Sequence, residues 1–94
     1  MDISHRDIKM ENILIGKNKQ IKLIDFGFSM FSSSNAKQSL ICGTPTYMAP
    51  ELTLKKQYYG KKVDVWAMGI ILFVMVLGYF PFRGRNTEEL SRNI

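Results

Sequence analysis

Residues 5–27 read HRDIKMENILIGKNKQIKLIDFG, and this stretch decides the fold. Ile13-Leu14-Ile15 and Ile21-Lys22-Leu23-Ile24 are short aliphatic, β-branched runs. They flank Gly16-Lys17-Asn18-Lys19-Gln20, a polar stretch opened by glycine. Apolar runs bounded by turn residues predict a β-hairpin over 13–24. With Ile13 paired to Ile24 and Ile15 to Lys22, Asn12 and Asp25 face each other at the open end, where neighbouring strands lie roughly 5 Å apart. An amide oxygen and a carboxylate at that separation can share a hard, oxygen-seeking cation such as Mg²⁺. Asp7, five residues before Asn12, enters the same end from a loop, where a carboxylate can orient a hydroxyl and accept its proton. Spacing alone is served equally well by an ordinary hairpin with solvated polar ends.

The residue identities separate these readings. His5-Arg6-Asp7-Ile8-Lys9-Met10-Glu11-Asn12 resembles the catalytic loop of eukaryotic protein kinases, and Asp25-Phe26-Gly27 resembles their metal-binding motif. Gly43-Thr44-Pro45-Thr46-Tyr47-Met48-Ala49-Pro50-Glu51 is similar to the segment that closes the activation region. Asp64-Val65-Trp66-Ala67-Met68-Gly69 is similar to the start of the family's central helix. Four motifs in the family's order cover nearly the whole chain. The resemblance implies an α+β, kinase-like fold: the large C-terminal lobe only and incomplete, mainly α with a small β-hairpin. Within residues 1–94 it places a catalytic loop at 5–12, the hairpin at 13–24 and an activation segment at 25–51. A central helix follows at about 64–78, and a further helix starts at about 87–94. The serine/threonine type is implied. The 69–73 and 78–82 runs with Glu89-Leu90 look most like the calcium/calmodulin-dependent and AMP-activated kinase group.

The resemblance also implies roles. Asp7 is the expected catalytic carboxylate, and Lys9 steadies the transferred phosphoryl group. Asn12 and Asp25 hold Mg²⁺ on the ATP phosphates, and Leu14 lies under the adenine, although it reads equally as hairpin core. Thr44 bridges Asp7 and Lys9. Ile41, Pro45 and Met48 line an apolar pocket for the substrate residue after the phosphorylated one. Asp64 accepts hydrogen bonds from the catalytic-loop backbone, with Trp66 packed beneath the loop. Arg6 is the expected receiver of an activation-segment phosphate, with Ser32, Ser33, Ser34 and Ser39 as candidate acceptors. At the position where many relatives carry the phosphorylated threonine, two before the cysteine, this chain has Leu40. Glu51 is expected to need a downstream arginine partner outside these residues. Met10 stands where the family commonly has proline. Val74 replaces an acidic residue that some kinases selective for basic substrates place in the central helix.

Composition bounds the alternatives. Ninety-four residues, 46% of them hydrophobic, suit one small domain with a limited core. The formal charge of +5 is spread over scattered lysines without interleaved aromatics, so a solvated basic surface rather than a nucleic-acid site is expected; protein substrates are what the resemblance implies. One cysteine, Cys42, excludes an intramolecular disulfide framework. It fits a reducing compartment, cytoplasmic or alternatively nuclear. No signal peptide opens the sequence. Residues 65–82 lack any charge and touch the lower length limit of a membrane span. Gly69, Gly78 and Pro81 shorten the usable helix, and a helix apolar on every face equally suits a buried one. No membrane association is therefore expected.

A helix buried all round needs more neighbours than these residues supply. The chain is expected to expose apolar surface that aggregates or binds a partner, such as another kinase or a chaperone. Nor do the 94 residues contain a glycine-rich phosphate loop, a strand lysine for the α- and β-phosphates, or the helix glutamate that pairs with it. The expectation is a kinase site that is inactive in isolation. The competing reading is a truncated, non-catalytic interaction module.

Overall fold

The computed structural model describes residues 2–31 and 36–94; Ser32, Ser33 and Ser34 lie outside the described residues. In chain order the strands are β1 (Ile3–Ser4), β2 (Ile13–Ile15), β3 (Ile21–Leu23) and β4 (Met30–Phe31). The helices are α1 (Pro50–Thr53), α2 (Gly60–Leu77) and α3 (Thr87–Asn93), with 3-10 turns at Met10–Asn12, Lys17–Lys19 and Pro45–Tyr47. The architecture is α+β. A second small sheet, β1 with β4, joins the expected hairpin, both pairs being antiparallel.

The hairpin forms one register away from the expected one. Ile13 pairs with Leu23, Leu14 with Lys22 and Ile15 with Ile21. The turn is the cause. Asn18 and Lys19 both adopt left-handed φ, 61° and 59°, and Gly16 N–H donates to the Gln20 carbonyl at 2.7 Å. The chain therefore reverses within residues 17–19, and turn length dictates register. The ladder continues to Asn12, whose carbonyl accepts from Ile24 N–H at 2.8 Å. Asn12 thus stands across from Ile24, and Asp25 lies one residue beyond.

Helix α2 begins four residues before the expected start. Asp64 does not cap it; Tyr59 holds that position without a side-chain cap. Asp64 sits one turn inside, where a carboxylate complements the positive helix end. The helix stops at Gly78, whose left-handed φ of 80° closes the last turn through its N–H to the Val74 carbonyl at 2.8 Å. The expected N-cap of α3 is present: Asn86 Oδ1 accepts from Glu89 N–H at 2.9 Å. Glu89 reaches back to Arg85, accepting from its N–H at 3.2 Å and its Nε at 3.1 Å.

Two apolar clusters form along one face of α2. Tyr47, Ala67, Ile70 and Ile71 make the first, with Ile8, Ile13, Phe80 and Phe82 packed against it. Ala49, Leu52, Tyr58 and Val63 make the second. Trp66 touches both and stacks on Phe82 with ring centroids 6.0 Å apart. Its buried Nε1 has no hydrogen-bond partner among the described residues. The opposite face of α2 is open: Val65, Met68, Leu72, Met75 and Val76 are 57–72% exposed. The helix is therefore buried on one side, not all round, because the chain measures only 18 Å along its shortest axis. Among the described residues no helix is long and apolar enough to cross a membrane.

The site-bearing loop is tied to α2 by one side chain. Asp64 accepts from His5 N–H through Oδ2 and from Arg6 N–H through Oδ1, both at 2.8 Å. Gly60, at the helix start, allows β1 to come close: a Cβ there would lie 2.5 Å from Ser4 Cβ and 3.2 Å from Gln38 Nε2.

Asp64→Ala should lower unfolding stability by about 2–4 kcal/mol, since each orphaned buried donor costs about 1–3 kcal/mol. Denaturant titration of the intact protein checks this, and an unchanged midpoint would remove Asp64 as the anchor. Gly60→Ala should cost about 1–3 kcal/mol by overpacking. A neutral result in the same titration would show that β1 can move aside.

Candidate active site

The loop 5–12 is fixed at each end by backbone bonds and turns sharply between them. Arg6 takes a left-handed φ of 68°, a conformation costly for a residue with a side chain. His5 is 4% exposed and connects two segments. Its Nδ1 accepts from Asp7 N–H at 3.1 Å, and its Nε2 lies 2.9 Å from the Ile24 carbonyl. Since a carbonyl only accepts, the proton resides on Nε2. Phe26 meets the same ring edge-on at 4.9 Å. His5 thereby sets Asp7 on one side and the residue before Asp25 on the other.

Asp7 is buried, 8% exposed, and its surroundings are polar. Thr44 Oγ1 lies 2.9 Å from Asp7 Oδ1 and 3.0 Å from Lys9 Nζ. An ammonium can only donate, so the single hydroxyl proton of Thr44 points at Asp7. Lys9 Nζ is 3.7 Å from the other carboxylate oxygen, Oδ2. Asn12, also buried, donates its Nδ2 to the Asp7 carbonyl at 2.9 Å. That bond orients the amide and leaves its Oδ1 as the acceptor end. A cavity of about 20 Å³ behind Asp7 is lined by residues including Gly43, Thr44 and Asp64, enough for one water among polar partners.

Asp25 lies outside this buried set. It is exposed, has a left-handed φ of 59°, and accepts from Gly27 N–H through Oδ1 at 3.2 Å. Among the described residues no cluster of three or more His, Cys, Asp or Glu could hold a metal by itself. Asn12 Oδ1 and Asp25 Oδ2 offer two hard oxygen donors at the open end of the hairpin. That set suits Mg²⁺, which binds through one or two protein oxygens and completes its octahedron with phosphates and water.

The other expected residues divide. Leu14 is 48% exposed, so it is not hairpin core; only Ile13 of β2 reaches the main cluster. Met48 turns inward onto the second cluster while Ile41 stays exposed. Glu51 is half-buried and forms no ion pair among the described residues. Cys42 is buried and free. Ser39 is exposed.

The sequence reading did not identify Gln38, Tyr47 or Tyr58. Tyr47 Oη accepts from Met10 N–H at 3.4 Å, and its ring packs edge-on against Phe80 at 5.3 Å. Burial pushes the Tyr47 phenol above its usual pKa. Gln38 and Tyr58 form an isolated antiparallel bridge, and both side chains reach Arg6. Burial raises the Tyr58 phenol's pKa also, against an opposing hydrogen bond from Arg6. A bridge between residues twenty apart, with no strand on either side, leaves no periodic signal.

Comparison with known proteins agrees with this geometry. The protein kinase domain family matches residues 1–94. The chain is 52% identical over 90 residues to the probable serine/threonine-protein kinase MARK-A of Dictyostelium discoideum, covering 96% of the chain and 8% of that protein. It is 49% identical over 92 residues to the serine/threonine-protein kinase kin-29 of Caenorhabditis elegans, covering 98% of the chain and 11% of that protein. With CBL-interacting protein kinase 15 of Oryza sativa it shares 47% identity over 95 residues, covering 98% of the chain and 22% of that protein. The chain thus spans less than a quarter of the length of each of these relatives. With its motifs in order and Thr44 seated between Asp7 and Lys9, the chain belongs to the protein kinase domain family.

Proposed function

We propose that these residues form part of the catalytic centre of a protein serine/threonine kinase, transferring the γ-phosphoryl group of ATP to protein hydroxyls. The observation that carries this reading is the Asp7–Thr44–Lys9 contact. Asp7 keeps Oδ2 toward an incoming serine or threonine hydroxyl, where it orients the oxygen and accepts the proton. Thr44 holds the other carboxylate oxygen by donation and receives Lys9, so the ammonium sits beside the carboxylate rather than swinging free. Lys9 is then placed to meet a phosphoryl oxygen as charge builds there. Asn12 and Asp25 would hold Mg²⁺, which supplies charge neutralisation on the ATP phosphates when bound. The half-exposed Leu14 offers an apolar surface for adenine. The large-lobe assignment follows from the same motifs, and a reducing, cytoplasmic setting suits the free, buried Cys42.

The 94 residues present no glycine-rich loop or strand lysine over the phosphates. The isolated chain should therefore show no measurable phosphorylation of a generic peptide. Robust transfer by it, abolished by Asp7→Ala, would overturn this division of labour.

In the intact protein, Asp7→Asn should lower kcat by about 10²–10⁴-fold with little change in KM for ATP. Radiolabel transfer to a peptide library checks this, and a variant retaining half its activity would remove Asp7 from the chemistry. Thr44→Val should cost about 10–100-fold in kcat, as expected for hydrogen bonds to charged groups. Thr44→Ser should recover most of it, and equal loss in both variants would point to packing instead.

A further inference from the structure

The Arg6 side chain turns away from Asp7, toward Phe28, Gln38 and Tyr58. It is buried, 9% exposed, and among the described residues it has no carboxylate partner. Three uncharged oxygens take three of its five N–H protons instead. Nε donates to the Phe28 carbonyl at 2.6 Å, and Nη1 donates to Gln38 Oε1 at 3.1 Å and to Tyr58 Oη at 3.2 Å. Both protons of Nη1 are thereby used.

The acceptors are themselves held. Gln38 and Tyr58 exchange backbone hydrogen bonds at 2.7 and 2.9 Å and are 8% and 2% exposed. Tyr58 Oη donates onward to the Leu40 carbonyl, so its one proton and its acceptor role are both engaged. Leu40 stands where the family resemblance places a phosphorylated threonine in many relatives, and it contributes a backbone carbonyl in place of a hydroxyl. Ser39, the nearest hydroxyl, is exposed, as its neighbour Gln38 points inward and successive extended residues face opposite ways. An anion approaching Nη1 would have to displace the side-chain oxygens of Gln38 and Tyr58.

We propose that Gln38 and Tyr58 form an uncharged latch on Arg6, docking residues 38–42 of the activation segment against the catalytic loop without phosphorylation. Both are positioning residues, acting on Asp7 through the backbone of its neighbour Arg6. Phe28 extends the latch to the segment just after Asp25, so one guanidinium gathers three stretches of chain. The latch rests on the kinase reading for its catalytic consequence, and the docking stands on the hydrogen bonds alone.

The test uses the intact protein that carries this chain, produced in bacteria, treated with phosphatase and shown by mass to hold no phosphate. Amide hydrogen exchange is followed over 36–44 and 56–60. The phosphate-free wild type should protect the Gln38 and Tyr58 amides. Gln38→Ala should speed exchange over 36–44 by about tenfold or more, the loss of one charge-assisted bond, with α2 unchanged. Gln38→Glu, which offers a carboxylate to the same guanidinium, should restore protection. Tyr58→Phe keeps the ring and the backbone bridge and should loosen the same segment, giving an independent reading should Gln38→Ala fold poorly. Exchange of 36–44 at the unprotected rate in the phosphate-free wild type would overturn the latch, as would Gln38→Ala and Tyr58→Phe that both leave it slow. A protein with the expected exchange pattern but no transferase activity would sink the phosphoryl-transfer reading and still support the latch.

Discussion

Everything in the site depends on a carboxylate with no chemical task of its own. Asp64 spends both oxygens on the consecutive N–H groups of His5 and Arg6. Consecutive amides can point the same way only if the chain departs from extended geometry, and Arg6 does so at φ 68°. A left-handed residue costs about 1–3 kcal/mol. Two hydrogen bonds to an ionised carboxylate, at about 1.5–3 kcal/mol each, outweigh it. The strained turn then does two things at once. It sends the Arg6 side chain toward residues 28, 38 and 58, and it leaves Asp7 facing Thr44. A charge on α2 therefore sets the directions of a loop more than fifty residues earlier.

The polar groups near Asp7 form a chain in which the donor and acceptor of each bond are fixed. Lys9 gives to Thr44, Thr44 to Asp7, Asn12 to the Asp7 carbonyl, and Asp7 N–H to His5. Because the order follows from what each group can donate, alternative arrangements are few. The exposed pairs Arg92–Glu88 and Arg85–Glu89 contrast with this: being solvated, each contributes under about 1 kcal/mol.

Much of this was legible in the sequence because kinase motifs are local. His5 to Asn12, Asp25 to Gly27 and the cap at Asn86 are contiguous patterns, and the cap forms as its residues announce. The hairpin register was not legible, since a left-handed pair at Asn18 and Lys19 in an asparagine-lysine turn has no glycine to announce it. The β1–β4 pair was missed because two-residue strands carry no alternation. Gln38 and Tyr58 were missed for a related reason: a lone bridge is made by tertiary proximity, not by any pattern along the chain. Helix α2 starts four residues earlier than the motif at Asp64 announces, whereas the bonds from the loop backbone to the Asp64 carboxylate are those the motif implies.

The exposed face of α2 bears on the site through that same helix. The clusters under the loop use Val63, Ala67, Ile70 and Ile71, and the open stripe uses residues 65, 68, 72, 75 and 76 on the other side. Full burial of one such side chain contributes about 1.5–3 kcal/mol. Covering five that are already part-buried would add several kcal/mol, a large share of the 5–15 kcal/mol typical of a domain. Asp64 projects from the helix that this stripe belongs to, so any fraying of α2 releases His5 and Arg6 together. Apolar cover on the outer face would therefore stabilise Asp7 without touching it. The geometry of the site is set from within these residues, and its persistence is tied to the stability of that one helix.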